Sequence, residues 1–277
     1  MGRLPEVVPV DIYPDAGALG EGLAAVILED LARVAREGRA YLLGCPGGRS
    51  PMSTYQALGR QAAAAGADLS PLVVVMMDEY VLPAGESFVN CPADAHYSCH
   101  RAAIEEIAGA MNAGLDATRQ VPPENVWFPD PAEPAAYDER IRAAGGIELF
   151  LVASGAGDGH VAFNPPGDPA DSPTRILRIA DTTRTDNLRT FPEFAGLEEV
   201  PRYGVSVGLG TIGGLSRQVV LIAHGEDKQY AVRRLAACDG FDPHWPASLV
   251  YRCQRPRIML DEAAAAGLAP AGAERRE

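Results

Sequence analysis

Three segments and two basic groups bring together side chains able to do chemistry on a small anionic molecule. Asp158 and His160 stand two residues apart in Gly155-Ala156-Gly157-Asp158-Gly159-His160-Val161-Ala162-Phe163-Asn164-Pro165-Pro166-Gly167. A carboxylate beside an imidazole can shuttle a proton near neutral pH, and the glycines let the chain fold over a ligand. Asp78 and Glu79 follow the apolar run 72–77. Adjacent side chains on extended backbone point to opposite faces, so at most one of the two faces a cleft beyond the strand end. There it could move a proton on or off carbon or a hydroxyl. The plainer role for the other is to cap the following loop.

The third segment is Leu43-Gly44-Cys45-Pro46-Gly47-Gly48-Arg49-Ser50-Pro51. Glycines at 47 and 48 allow backbone N–H groups to converge, and a helix N-terminus adds partial positive charge, so a phosphate suits this turn. Arg49 and Ser50 would add donors. Arg175, Arg178, Arg184 and Arg189 crowd into fifteen residues, and Lys228 opens a helical stretch. Arginine suits bidentate phosphate contact and lysine a point charge. One or two of the arginines are expected to touch ligand, the others to be solvated.

These residues need a framework, and the apolar periodicity supplies one by alternating between two and about 3.6 residues. Leu19, Leu23, Ile27, Leu31 and Val34 mark an amphipathic helix over 16–37. A strand is expected at 40–43, followed by a helix opened by Pro51. The runs 72–77, 149–152, 203–207 and 219–223 are apolar on nearly every residue, as in parallel strands covered on both faces. Helices are expected at 93–111, 131–144 and 227–237. The sum is an α/β fold, an open, mostly parallel, doubly wound (Rossmann-like) sheet with helices on both faces. Ligands in such sheets bind beyond the carboxyl ends of the strands, where the chemical segments fall. Residues 1–262 are expected to form a single domain and 263–277, rich in Ala, Gly and Pro, a frayed tail.

Composition narrows the partners. The 277 residues are 47% hydrophobic and 22% charged, with 24 basic against 37 acidic side chains and a net charge of −13. That balance speaks against nucleic acid or an anionic membrane surface. No apolar run approaches the roughly 18 residues of a membrane span. The segment MGRLPEVVPVDIYPDAG lacks the apolar centre of a signal peptide, so a cytoplasmic location is expected. Cys45, Cys91, Cys99, Cys238 and Cys253 form no CxxC or zinc-ligand spacing and read as reduced thiols.

The segments PGGRSP, MMDEYV, DGHVAFNPPG, TRTDNLRTF, YGVSVGLGTI and HGEDK occur in the order seen in glucosamine-6-phosphate deaminases, also called isomerases, and the chain resembles them over roughly residues 40–235. A wider superfamily joins them with 6-phosphogluconolactonases and ribose-5-phosphate isomerases. The resemblance implies that Gly47, Gly48, Arg49 and Ser50, with Arg189 and Lys228, bind the substrate phosphate. It implies that Asp78 moves the proton between C1 and C2 in aldose–ketose isomerisation, and that Asp158 and His160 help open the sugar ring. It implies no metal and no organic cofactor and a phosphosugar as the small-molecule partner, and it leaves the oligomeric state open between a monomer and a homo-oligomer of up to six chains.

The sequence departs from that pattern in three places. The family motif DGHIAFNEP carries a glutamate where this chain has Pro165, which offers neither a carboxylate nor an N–H. In the phosphate loop Gly47 replaces a common threonine and Arg49 a glycine. The lid region from Ser87 to Tyr97 is lengthened and brings Asn90, Cys91 and His96. Arg49 and Pro165 suit a lactonase-like hydrolase, whereas Asp78-Glu79-Tyr80 and Phe163-Asn164 suit the deaminase branch. A non-catalytic phosphosugar sensor is the remaining alternative, although nothing before Leu43 resembles a DNA-binding head. Arg175 is a candidate contact for an effector.

Overall fold

The structure, a computed structural model, describes residues 8–266 and Leu268. The chain opens with β1 (Val10–Tyr13), α1 (Ala16–Arg36), β2 (Tyr41–Cys45), α2 (Met52–Ala65) and β3 (Leu72–Met76). The hairpin strands β4 (Asp78–Ala84) and β5 (Ser87–Asn90) follow, then α3 (Cys99–Ala102), a π-helical stretch (Ala103–Ala108) and α4 (Gly109–Asn112). Next come β6 (Val126–Trp127), α5 (Pro134–Ala143), β7 (Ile147–Ala153), β8 (Arg175–Arg178), α6 (Asp181–Thr190) and β9 (Tyr203–Ser206). The chain closes with α7 (Leu209–Leu215), β10 (Ser216–Ala223), α8 (Gln229–Ala236), β11 (Pro256–Asp261) and α9 (Glu262–Ala265).

Seven strands form a parallel sheet in the order β1-β11-β10-β7-β2-β3-β6. β2 and β3 are buried at every residue, and alternate residues serve separate cores. Val73, Val75, Phe150 and Val152 join one core with residues of α5 and α8, while Val74, Met76, Leu149 and Leu151 join the other with α1 and α2. The helix expected at 16–37 is α1. Asp15 caps it by accepting from the Ala18 N–H at 2.8 Å, and its stripe Leu19, Leu23, Ile27, Leu31 and Val34 is buried. Burying each such side chain stabilises by roughly 1.5–3 kcal/mol.

Successive connections run outward in opposite directions from the β2–β7 pair, so the strand order switches there and a crevice opens at the carboxyl ends. The second sheet departs from expectation. β4, β5, β8 and β9 form an antiparallel sheet in the order β5-β4-β9-β8. The run 203–207 was expected to be a parallel strand, but as β9 it lies between β4 and β8. Gly204 lies against the ring of Phe163, which shares a small core with Tyr80, Ile179 and Phe194, whereas Val207 joins a core of the parallel sheet. Apolarity reports burial on two faces and says nothing of strand direction.

The helix expected over 93–111 begins only at Cys99 and is interrupted by the π-helical stretch. The one expected at 227–237 opens with a 3₁₀ turn, Glu226–Lys228. Of the tail expected at 263–277, residues 263–265 belong to α9 and Ala264 is buried. Most of the remainder lies outside the described residues. All five cysteines are buried free thiols. Among the described residues no helix is long and apolar enough to cross a membrane.

Candidate active site

A cleft of about 350 Å³ lies over the β2–β7 switch point. Its floor is the turn after β2, the Met77–Asp78 junction between the two sheets, the loop after β7 and the segment after β10. One side wall is α6. Gly47, Gly48, Arg49, Ser50, Asp78, His160, Arg189 and Lys228 all line it.

The turn after β2 is fixed from below by the Tyr55 hydroxyl, which donates to the Pro46 carbonyl at 2.9 Å. Gly48 has φ +76°, where a side chain would be strained, and no atom fills the space above Gly47 or Gly48. The Ser50 carbonyl lies 3.0 Å from His224 Nε2 at the end of β10, which ties this turn to the next wall. Lys228 Nζ donates to the Ser154 carbonyl at 2.8 Å. Burial lowers the Lys228 pKa and the positive charge of Arg49 adds to that, while Asp227 and Asp186 oppose it. Arg49, Arg189 and Lys228 thus give one end of the cleft the character of an anion site.

The carboxylates at 78 and 79 divide as the alternation predicts. Asp78, 7% exposed, begins β4 and faces the cleft. Glu79 turns away and is fully buried, accepting from the N–H groups of Tyr80, Cys99 and His100 at 2.7, 3.0 and 2.8 Å and from the Ser98 hydroxyl at 3.1 Å. His100 Nδ1 lies 2.6 Å from it. Glu79 therefore serves the first turn of α3, the capping role open to one of the pair. Burial pushes its pKa up, but the hydrogen bonds from His100 and the three N–H groups outweigh that and hold it below the usual range. Asp78 has no such donors. Burial, then the neighbouring Glu79 charge, push its pKa up to about 7, with the Cys99 thiol the small opposing influence.

The loop after β7 places His160. Asp158 accepts from the His160 N–H at 3.1 Å, and its Oδ1 lies 2.7 Å from His160 Nδ1. The Thr182 hydroxyl donates to the other carboxylate oxygen. Burial raises the Asp158 pKa, but the bond and charge of His160 and the Thr182 hydroxyl overcome it and keep the group ionised. An ionised partner at Nδ1 requires a proton there, which leaves Nε2 of the neutral ring as an acceptor. Gly155 is required because a Cβ would fall on the His160 ring and Asp158. Ala162 holds φ +51°, a left-handed turn closed by the Asn164 N–H donating to the Val161 carbonyl at 2.9 Å. Asn164 is buried, donating to the carbonyls of Val161 and Val207 at 2.9 and 2.8 Å.

Other expected residues fall elsewhere. Pro165 is half-buried and does not line the cleft. Arg175 pairs with Asp168 and donates to Asn164 Oδ1 at 3.0 Å. Arg184 is buried, donating to the carbonyls of Val200 and Leu197, and Arg178 is exposed. Asn90, Cys91 and His96 of the lid region do not line the cleft. Cys91 Sγ lies 3.4 Å from Glu79, and His96 packs on Phe194 with ring centroids 4.6 Å apart.

Sequence reasoning missed α6 as a helix, because DTTRTDNLRT has no apolar stripe. Its signal was polar: Thr183, Asp186, Asn187 and Thr190 recur at helical spacing and line the cleft together. It also missed the aromatic flank. Tyr80 packs on Phe163 and Phe191 at 5.0 and 6.3 Å, and Asn187 donates to its hydroxyl at 2.6 Å. Among the described residues no group of three His, Cys, Asp or Glu side chains is placed to hold a metal ion.

Comparison with known proteins adds to this geometry. The chain is similar to the glucosamine-6-phosphate deaminase of Rhodococcus jostii, with 35% identity over 235 residues, 84% of this chain and 83% of that protein. Its fold is similar to a monomeric glucosamine-6-phosphate deaminase, with TM-score 0.76, 23% identity and coverage of 94% of this chain and 100% of that one. It is also similar to the 6-phosphogluconolactonase of Leishmania guyanensis, with TM-score 0.67, 17% identity and coverage of 95% and 99%. At these identities the two structures speak for the fold alone. The model of one family, glucosamine-6-phosphate isomerases/6-phosphogluconolactonase, matches residues 14–260. With the fold and the sequence relative in agreement, the chain belongs to that family.

Proposed function

We propose that the protein is a phosphosugar enzyme of the glucosamine-6-phosphate deaminase type, isomerising a hexose or amino-sugar phosphate between aldose and ketose with or without release of ammonia. One observation carries the reading: Asp78, with its pKa near 7, opens into the same cleft as an anion site made of Gly47, Gly48, Arg49, Ser50, Arg189 and Lys228. A general base works best when its pKa lies near the working pH. In this reading the basic end holds the phosphate, and His160, oriented by Asp158, exchanges a proton with the ring oxygen as the sugar opens. Asp78 then takes the proton from C2 and returns it at C1. With an amine at C2 the product is an imine, and addition of one water releases ammonia and leaves fructose 6-phosphate. The balance of atoms needs no oxidant or reductant. The reading treats residues 1–262 as one domain, because both sheets supply walls of one cleft.

The test mixes the protein with glucosamine 6-phosphate and follows ammonia and fructose 6-phosphate together. Equal accumulation of both supports deamination, and interconversion of glucose and fructose 6-phosphates without ammonia supports plain isomerisation. Absence of turnover on either substrate overturns the reading. A lactonase-like hydrolysis has one observation in its favour, the Arg49 side chain in a cleft whose histidine pairs, among the described residues, with Asp158 and no second carboxylate. Acceleration of 6-phosphogluconolactone hydrolysis above its spontaneous rate would support that alternative.

A further inference from the structure

The α6 wall has more polar groups than the reading above uses. Thr182 is bonded to Asp158, Asn187 to the Tyr80 hydroxyl, and Arg184 on the far side to backbone carbonyls. Asp186 differs. It is half-buried in the cleft, and among the described residues no hydrogen bond or ion pair reaches its carboxylate. It stands four residues from Thr182 and three from Thr183, so all three lie on neighbouring lines of the helix. Lys228 lies within electrostatic reach of it. The other carboxylate lining the cleft without a role, Asp227, is exposed and adjacent to Lys228 in sequence.

An unpartnered carboxylate at the edge of an anion site is a liability. Two like charges repel in a partly screened protein environment, the more so the closer they lie. Asp186 therefore disfavours a bare anion unless the occupant also presents a hydrogen-bond donor. A hydrogen bond to a charged group is stronger than one between neutral groups and reverses the balance.

We propose that Asp186 is a specificity-determining residue, whose carboxylate accepts from an ammonium or hydroxyl donor on the sugar part of a bound phosphosugar. This rests on the phosphosugar reading above. It makes the cleft discriminate by the non-phosphate end of its occupant, a role that α6 performs in a chain whose position 165 is proline rather than an acid.

The experiment is calorimetric titration of the full chain and of Asp186→Asn with three probes: inorganic phosphate, glucitol 6-phosphate and 2-amino-2-deoxyglucitol 6-phosphate. The two alditols cannot close a ring or isomerise, so they are not consumed. Removing the charge should tighten inorganic phosphate about threefold, by relief of repulsion. The same change should weaken an alditol phosphate about tenfold, because the amide oxygen that remains is a neutral acceptor in place of a charged one. Weakening of the amino compound alone identifies an ammonium donor, and weakening of both identifies a hydroxyl. Asp186→Ser should reproduce the opposite shifts. Unchanged alditol affinity, or phosphate and alditol moving in the same direction, overturns the inference and leaves the phosphosugar reading standing. Failure of the unaltered protein to bind any of the three overturns both.

Discussion

The parallel and antiparallel sheets obey different rules. β2, β3 and most of β7 are buried along their whole length, and each residue there is chosen by the two cores it separates. In the smaller sheet β4 starts buried and ends exposed, β5 is largely exposed and β8 is half-exposed. It holds Asp78 where burial disfavours the ionised form, and α6 beside it presents hydroxyls, an amide and a carboxylate in place of an apolar stripe. One region is shaped by what stabilises the chain and the other by what it presents to the cleft. Substitutions should therefore separate stability from activity.

Asp78→Asn should have the largest effect, and on activity. Loss of a positioned general base lowers kcat by about 10²- to 10⁴-fold, with phosphosugar affinity nearly kept. In the unaltered enzyme kcat/KM should rise with pH through about 7, because the base must be ionised. Stability should move the other way. The carboxyl titrates near 7 when folded against an ordinary 3.8, so the folded state holds the extra proton between those values and stability falls as pH rises from about 4 to about 7. The variant should then be more stable than its parent at pH 8, by up to roughly 4 kcal/mol, and no more stable at pH 4. A gain in stability independent of pH would break the contrast.

Phe150→Ala tests the other sheet. Its ring packs against Gly44 in the neighbouring strand, and truncation should cost about 3–5 kcal/mol in urea unfolding. The folded fraction should keep its kcat.

The same contrast explains what could be read from the chain. The strands β2, β3 and β10 and the helix α1 were legible, because a buried element leaves an apolar period. The side chains of the cleft floor were legible because they follow such strands directly. β9 was found but misplaced, since Gly204, Val205 and Ser206 are buried in a strand paired antiparallel with β4 and β8, and the letters do not encode direction. α6 left no apolar signal, and its part of the site, Asp186 and Asn187, went unread while its arginines attracted attention. Of these, Arg184 proved to anchor the helix to the backbone and only Arg189 reaches the cleft. Pro165 was the reverse case, visible as a departure yet placed off the cleft lining.

Gly155→Ala should fall below the Phe150 change in stability cost but reduce activity about 10²-fold. The added methyl would occupy the place of the His160 ring and the Asp158 carboxylate, and a displacement of about 1 Å is enough for such a loss. Phosphate affinity, set by the other end of the cleft, should stay the same. A variant with normal kcat would mean that His160 is not held by this loop.

The smallest effects should come from two adjacent threonines of α6, which divide the contrast within one helical turn. Thr182 donates to Asp158, whereas the Thr183 hydroxyl is buried with no partner among the described residues. Thr182→Val removes a hydrogen bond to a carboxylate at an exposed position, a loss of about 1 kcal/mol at pH 7. Asp158 is held ionised well below its ordinary range, so in the folded state it is still charged at pH 3.5, and the loss in the variant should be the same there as at pH 7. Thr183→Val replaces an unpaired hydroxyl by a methyl of similar shape, so it should be neutral or slightly stabilising at every pH. Urea unfolding of both variants at pH 7 and pH 3.5 reads the difference. Equal losses for the two would mean that α6 is held by packing alone, and that the Thr182 hydroxyl plays no part in keeping Asp158 charged beside His160.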